Sequence, residues 1–239
     1  MNRGIYSLAS GMVATQQAMD VVSNNLANVN TGGFKRDQAL FNDALEQAVS
    51  SPDGTRLGTL GSGATVKERF TDFAQGALRQ TGNPMDIAIQ GKGMFAVQGS
   101  DGTVSYTRDG AFTQSATGQL TTLQGDAVLD NALKPIQLRQ GTIQVAANGS
   151  ISTGSDGIAY AQIGIFDGTF SKGGGGRYVS QNPNAATAAH LSQGTVESSN
   201  VNPITSMVEM MSLGRNFDMA QKSIQSEDEM TQHLSSILS

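Results

Sequence analysis

The chain has 239 residues, room for one large domain or two small ones, with a formal net charge of -5 and only 15% charged residues. That balance speaks against nucleic acid as a partner, and the absence of cysteine excludes disulfides, thiolate chemistry and Cys-based zinc sites. No apolar run reaches the ~18 residues of a membrane-spanning helix, so no membrane insertion is expected.

Glycine is abundant at 29 residues, aromatics are few and tryptophan is absent, a profile that suits turn-rich β structure with some polar helix. The N-terminus, MNRGIYSLASGMVATQQAMD, has no continuous apolar core and so lacks a signal peptide. The protein is therefore expected to be soluble, and either to stay in the cytoplasm or to leave by a route without a cleaved signal.

Residues 1–33 read as a helix. Ile5, Leu8, Met12, Thr15, Met19, Val22, Leu26 and Val29 recur in steps of three and four, a heptad seam broken only by the threonine. Asn2 is placed to cap its start and Gly32-Gly33 to stop it. From residue 3 to residue 30 such a helix is about 42 Å long. Only Arg3 and Asp20 carry charge in the first 34 residues, and the seam is flanked by Ser, Thr, Gln, Ala and the amides Asn24, Asn25, Asn28 and Asn30. A free two-stranded coiled coil places charges beside its seam. Uncharged amides suit a helix whose outer face is also covered, because they exchange hydrogen bonds with several neighbours without the desolvation cost of a charge. The plainer alternative is that some of these amides merely cap the helix at the turn into Gly32-Gly33.

Residues 34–80 are mixed, and GTLGSGA at 58–64 reads as loop, so this stretch is expected to be an extended connection. The β signal covers 81–190. MDIAI alternates through Met85, Ile87 and Ile89, MFAV follows the turn QGKG, and short strands recur between Gly, Asp and Asn turns. The run GGGG at 173–176 marks a flexible loop. Residues 191–239 read as a C-terminal helical segment. Asn202 suits an N-cap and Pro203 the first helical position. Ile204, Val208 and Met211 begin one apolar stripe. Leu213, Phe217, Ala220 and Ile224 form a second, offset run that Leu234 and Leu238 resume after interruptions at Glu227 and Thr231. Five methionines, Met207, Met210, Met211, Met219 and Met230, supply adaptable packing or ordinary core.

Signals for catalysis are at background. Neither GTLGSG nor GKG has the spacing of a phosphate-binding loop, and GKG lies between two strands. The aspartates fall at turns without EF-hand spacing, the two histidines have no evident partners, and no G-x-S-x-G elbow occurs. No catalytic residue, metal site or cofactor is therefore assigned. The expected fold is α+β: long N- and C-terminal α-helices pairing as a coiled-coil-like core, with a central all-β domain. Each terminal helix is marginal alone, so the ends are expected to order on assembly. The candidate subunit-interface residues are Ile5, Leu8, Met12, Met19, Val22, Leu26 and Val29, the amides Asn24, Asn25, Asn28 and Asn30, and Val208, Met211, Phe217, Ile224 and Leu234. A helical hairpin under a β domain, stable as a monomer, is the alternative.

Three stretches resemble the bacterial flagellar rod and hook family: SNNLANVNTGGFKR, then TGNPMDIAIQGKGMFAV with YTRDGAF and GQL, then GTVESSNVNPITSMVEMM and the helix after it. The resemblance covers most of the chain, with the motifs in the family's order. It implies a structural axial component of the flagellar basal body, part of a periplasm-spanning helical tube that transmits torque and encloses an export channel. Its partners would be further copies of itself, other rod and hook proteins, and the flagellar type III export apparatus that passes the unfolded chain without a cleaved signal. The length leaves little room for the additional outer domain of a hook protein, which favours a rod protein, and a proximal over a distal one. A soluble β-domain binding module, perhaps for glycan, with oligomerising helices is the rival reading; with no Trp and four Tyr it has little material for sugar stacking. An enzyme ranks third.

Overall fold

The computed structural model describes the backbone of residues 2–43, 46–50, 56–61, 64–153, 158–186 and 189–238, and side chains for these except 2–6, 41–68, 231, 234, 235, 237 and 238. The chain divides into two compact units. Unit 1 comprises Met1–Ala27, Asp37–Asp72 and Asn202–Ser239. Unit 2 comprises Asn28–Arg36 and Phe73–Val201. Helices at the two ends and a β-rich middle make the fold α+β.

Unit 1 holds helix α1 (Asn2–Ala27), helix α2 (Pro203–Leu238) and four strands: β1 (Asp37–Asp43), β2 (Glu46–Ser50), β3 (Arg56–Gly61) and β4 (Ala64–Thr71). β1 pairs antiparallel with β4, and β2 with β3. The stretch 34–80 is thus mainly strand, where an extended connection was expected. Its residues alternate weakly, and the pairing of Asp37 with Thr71 is set by chain far away in sequence. α1 lies against α2, β1 and β4.

α1 ends at Ala27, short of the expected residue 30. Asn28 accepts the Thr31 amide at 3.2 Å, its side-chain oxygen accepts the Thr31 hydroxyl at 3.2 Å, and Gly33 follows at φ 64°. These local bonds offer the backbone a turn in place of another helical turn, so Val29 leaves the helical seam. At the other end, the Asn202 side chain accepts the amides of Ile204 at 3.0 Å and Thr205 at 3.3 Å, the N-cap expected ahead of Pro203. Because α2 starts at Pro203, residues 191–193 and 195–197 belong to strands rather than to the C-terminal helix.

Unit 2 contains β5 (Leu78–Gln80), β6 (Ile87–Gln90), β7 (Met94–Gln98), β8 (Val104–Thr107), β9 (Phe112–Gln114), β10 (Leu120–Thr122), β11 (Ala127–Val128) and β12 (Ile143–Val145). It continues with β13 (Ser150–Thr153), β14 (Ala159–Gln162), β15 (Ile165–Asp167), β16 (Phe170–Gly174), β17 (Arg177–Ser180), β18 (Asn184–Ala185), β19 (His190–Gln193) and β20 (Thr195–Glu197). The largest sheet runs β16-β17-β8-β7-β11-β10-β9, with β15 sharing an edge of β7 and β18 pairing with β15. β12, β13 and β14 form a second sheet, and β6–β19 and β5–β20 are two-stranded. Ile87, Ala88 and Ile89 are all buried, as are Met94 through Val97, so these central strands are covered on both faces rather than alternating. The core gathers Ile87, Ile89, Phe95, Val128, Ile151 and Ile163, and the Phe95 and Phe112 rings meet edge to face at 5.1 Å.

Candidate functional site

Two places in the molecule absorb the residues that the sequence singles out: the helices of unit 1, and the buried seat of residues 31–36 in unit 2.

In α1 the expected seam lies on the covered side. Val22 is buried and Leu8, Met12, Met19 and Leu26 are half-buried. The best-covered column, however, is Ala14, Ala18, Val21 and Asn25, offset from that seam. Its signal was present in the three-and-four spacing of Gly11, Ala14, Ala18, Val21 and Asn25, but small residues contribute little to an apolar count. Small side chains permit close approach, and that closeness buries them. Asn25 donates to the Asp37 carbonyl at 2.7 Å and accepts the Asp37 amide at 2.8 Å. Its amide is therefore committed within its own chain, to the first residue of β1 rather than to the helix end. Asn24 and Asn30 are exposed, while Asn28 and Val29 sit half-buried in the turn of unit 2.

α2 is apolar on two opposite sides. Met210, Leu213, Phe217, Ala220 and Ile224 are half-buried and lie on one face. Ile204, Met207, Val208, Met211, Met219 and Met230 are exposed, from 50% for Met207 to 72% for Ile204. At 3.6 residues per turn the two sets are centred about 180° apart. An amphipathic helix of a self-sufficient domain keeps its second face polar. The side chains of Ile5 and Leu234 lie outside the described residues.

In unit 2, three charged residues from distant parts of the chain meet out of water. Lys35 Nζ lies 2.6 Å from Glu197 Oε1, and Arg108 Nε lies 2.6 Å from Glu197 Oε2. All three side chains are at most 4% exposed. The remaining polar atoms are engaged too. Lys35 donates to the Ala74 carbonyl at 2.8 Å, and Gly76 N–H donates to Glu197 Oε1 at 2.9 Å. Arg108 donates to the carbonyls of Ile89 at 3.0 Å, Gly91 at 2.6 Å and Gly93. Lys35 and Arg108 share the Glu197 carboxylate, and the backbone carbonyls around them accept further donors, which offsets the cost of burying the charges. Gly33 N–H donates to the Glu197 carbonyl at 2.8 Å, and a Cβ at Gly33 would collide with the Arg108–Asp109 peptide. Asn200 staples the same place: its side chain accepts the Arg36 amide at 2.7 Å and donates to Ala74 O at 3.1 Å. Burial pushes the Asp109 carboxyl above its ordinary value; the Ala111 amide opposes this and the Asp86 charge adds to it.

Sequence reasoning missed Lys35, Arg108 and Glu197 as partners, although each lies in a quoted motif. Their separations, 162 residues for Lys35–Glu197 and 89 for Arg108–Glu197, leave no local pattern. Two open grooves of about 480 and 500 Å³ lie near Gly168 and Asn184. Among the described residues, no histidine lines either groove.

Known proteins resemble the chain along most of its length. Residues 5–35 match the family model of the flagella basal body rod protein, residues 88–164 that of the flagellar hook protein FlgE/F/G D1 domain, and residues 192–237 that of the flagellar basal body rod FlgEFG protein C-terminal. Each matched stretch supplies one member of the buried trio. The chain is 33% identical to the flagellar basal-body rod protein FlgG of Borreliella burgdorferi, over 96% of both chains. It is 34% identical to FlgG of Buchnera aphidicola subsp. Schizaphis graminum, over 95% of this chain and 96% of the relative. It is 32% identical to the flagellar basal-body rod protein FlgF of Rhizobium meliloti, over 91% of this chain and 90% of the relative.

Proposed function

Because the chain belongs to the flagellar basal-body rod and hook protein family, we propose that it is a structural component of the basal-body rod, with no enzymatic activity, that assembles through its terminal helices. The carrying observation is the second apolar face of α2, Ile204, Met207, Val208 and Met211, which its own chain leaves in water. Covering one such side chain contributes about 1.5–3 kcal/mol. The partners are further copies and other axial proteins. The regular covered side of α1 and the two-faced α2 are unlike surfaces, which supports head-to-tail contacts in an open helix rather than a self-complementary dimer. In that tube α1 and α2 pair as a coiled-coil-like core, and the candidate interface residues Leu8, Met12, Met19, Val22, Leu26, Val208, Met211, Phe217 and Ile224 pack within or between subunits. Export through the flagellar type III apparatus without a cleaved signal, and a place in the periplasm-spanning rod, complete the proposal. The short central region supports a rod rather than a hook position, and a proximal rather than a distal one.

Disruption of the gene, with a motility assay and electron microscopy of purified basal bodies, tests this. The expected result is non-motile cells whose basal bodies end before the position of this protein. Intact, rotating flagella in the disrupted strain would overturn it.

A further inference from the structure

Unit 2 is closed by its own two ends. Its first strand, β5, pairs with its last, β20, from Leu78↔Glu197 to Gln80↔Thr195. Its second strand, β6, pairs with β19, from Ile87↔Gln193 to Gln90↔His190. β6 is not peripheral: Ile87 and Ile89 lie at the centre of the core with Phe95 and Leu191. On its other side the Ile87 amide donates to Gly110 O at 2.9 Å. Without β19, one edge of a core strand faces no partner, and buried unpaired peptide groups are strongly disfavoured. Charge acts in the same direction. Arg108 is seated among the carbonyls of Ile89 and Gly91, beside the buried Lys35, and the carboxylate that both bind arrives only at residue 197. The hairpins encoded earlier in the chain, β7–β8 and β16–β17, are local pairs, and isolated hairpins are marginal in water.

We propose that residues 190–197 form a closing latch: a chain delivered from its N-terminus keeps residues 73–189 unfolded until Glu197 has emerged, and unit 2 then folds in one step. This rests on the topology and buried charges of unit 2 alone, whatever assembly the protein joins.

Pulse-labelled hydrogen exchange during refolding of the full chain tests it. The amides of Ile87, Ile89, Phe95 and Val97 are expected to gain protection in the same kinetic phase as those of Leu191 and Val196. An earlier phase that protects β6, β7 and β8 while β19 and β20 still exchange freely would overturn the latch. Native-state exchange of full-length Glu197→Gln gives a second readout. Removing the carboxylate that Lys35 and Arg108 share is expected to lower protection across Ile87–Val97 by about a hundredfold or more, together with Leu191. Loss confined to β5 and β20, with Phe95 and Val97 as protected as in the parent, would also overturn it.

Discussion

The two units solve the burial of apolar surface in opposite ways. Unit 2 encloses a core, although Leu123 and Ile158 stay exposed: Phe95, Val128, Leu129 and Ile151 have no measurable exposure, and Lys35, Arg108 and Glu197 are paired out of water. Unit 1 leaves large side chains open along α2, with Met211 and Val208 each 56% exposed. One region is a finished core and the other is half of one. The open face of α2 is what supports the proposed assembly there, because a row of uncovered apolar side chains along one helix face marks surface for a neighbour.

The strongest way to probe this contrast is to damage the finished core. Phe95→Ala removes a fully buried ring from its edge-to-face packing on Phe112. It is expected to lower the unfolding free energy of unit 2 by about 3–5 kcal/mol, read by denaturant titration. Helical circular dichroism from α1 and α2 should not be lost in proportion; a single shared transition would break the division into two units. Next in size is Asn25→Ala. It strips the Asp37 peptide of both side-chain hydrogen bonds, at a cost of about 1–3 kcal/mol, with faster exchange of the Asp37 amide as the local signature.

The open face of α2 should behave in the reverse manner. The double substitution Ile204→Ser, Met211→Ser is expected to change the stability of the isolated chain by no more than about 0.5 kcal/mol per site. It should nevertheless abolish incorporation into basal bodies, scored by electron microscopy. Full incorporation would move the assembly surface away from this face.

The smallest effect concerns Asp109. Burial raises its folded-state value above the ordinary 3.8, so the folded protein binds the proton more tightly than the unfolded chain. Its contribution to stability is then greatest below 3.8 and falls as pH rises through the raised folded-state value. Asp109→Asn keeps an oxygen for the Ala111 amide and should flatten that part of the stability–pH curve for unit 2. A curve of unchanged slope would show that Asp109 does not set it.

Local chemistry carried what could be read from residues alone. The Asn202-Pro203 start of α2 was legible because a cap and a first turn involve only four consecutive residues. The covered side of α1 was legible from its period, and the rod and hook family from three motifs in order. The α1 terminus was misplaced because Leu26 and Val29 kept the period while Asn28 and Thr31 closed a turn beneath it. Strands β1 to β4 were not legible, since their partners rather than their own pattern define them. The same limit applied to Lys35, Arg108 and Glu197. Each stood in a recognisable motif, yet a charged residue in sequence reads as solvated. Folding brought the three together, because only the closed β unit offers carbonyls and a low-dielectric interior in which one carboxylate holds two cations.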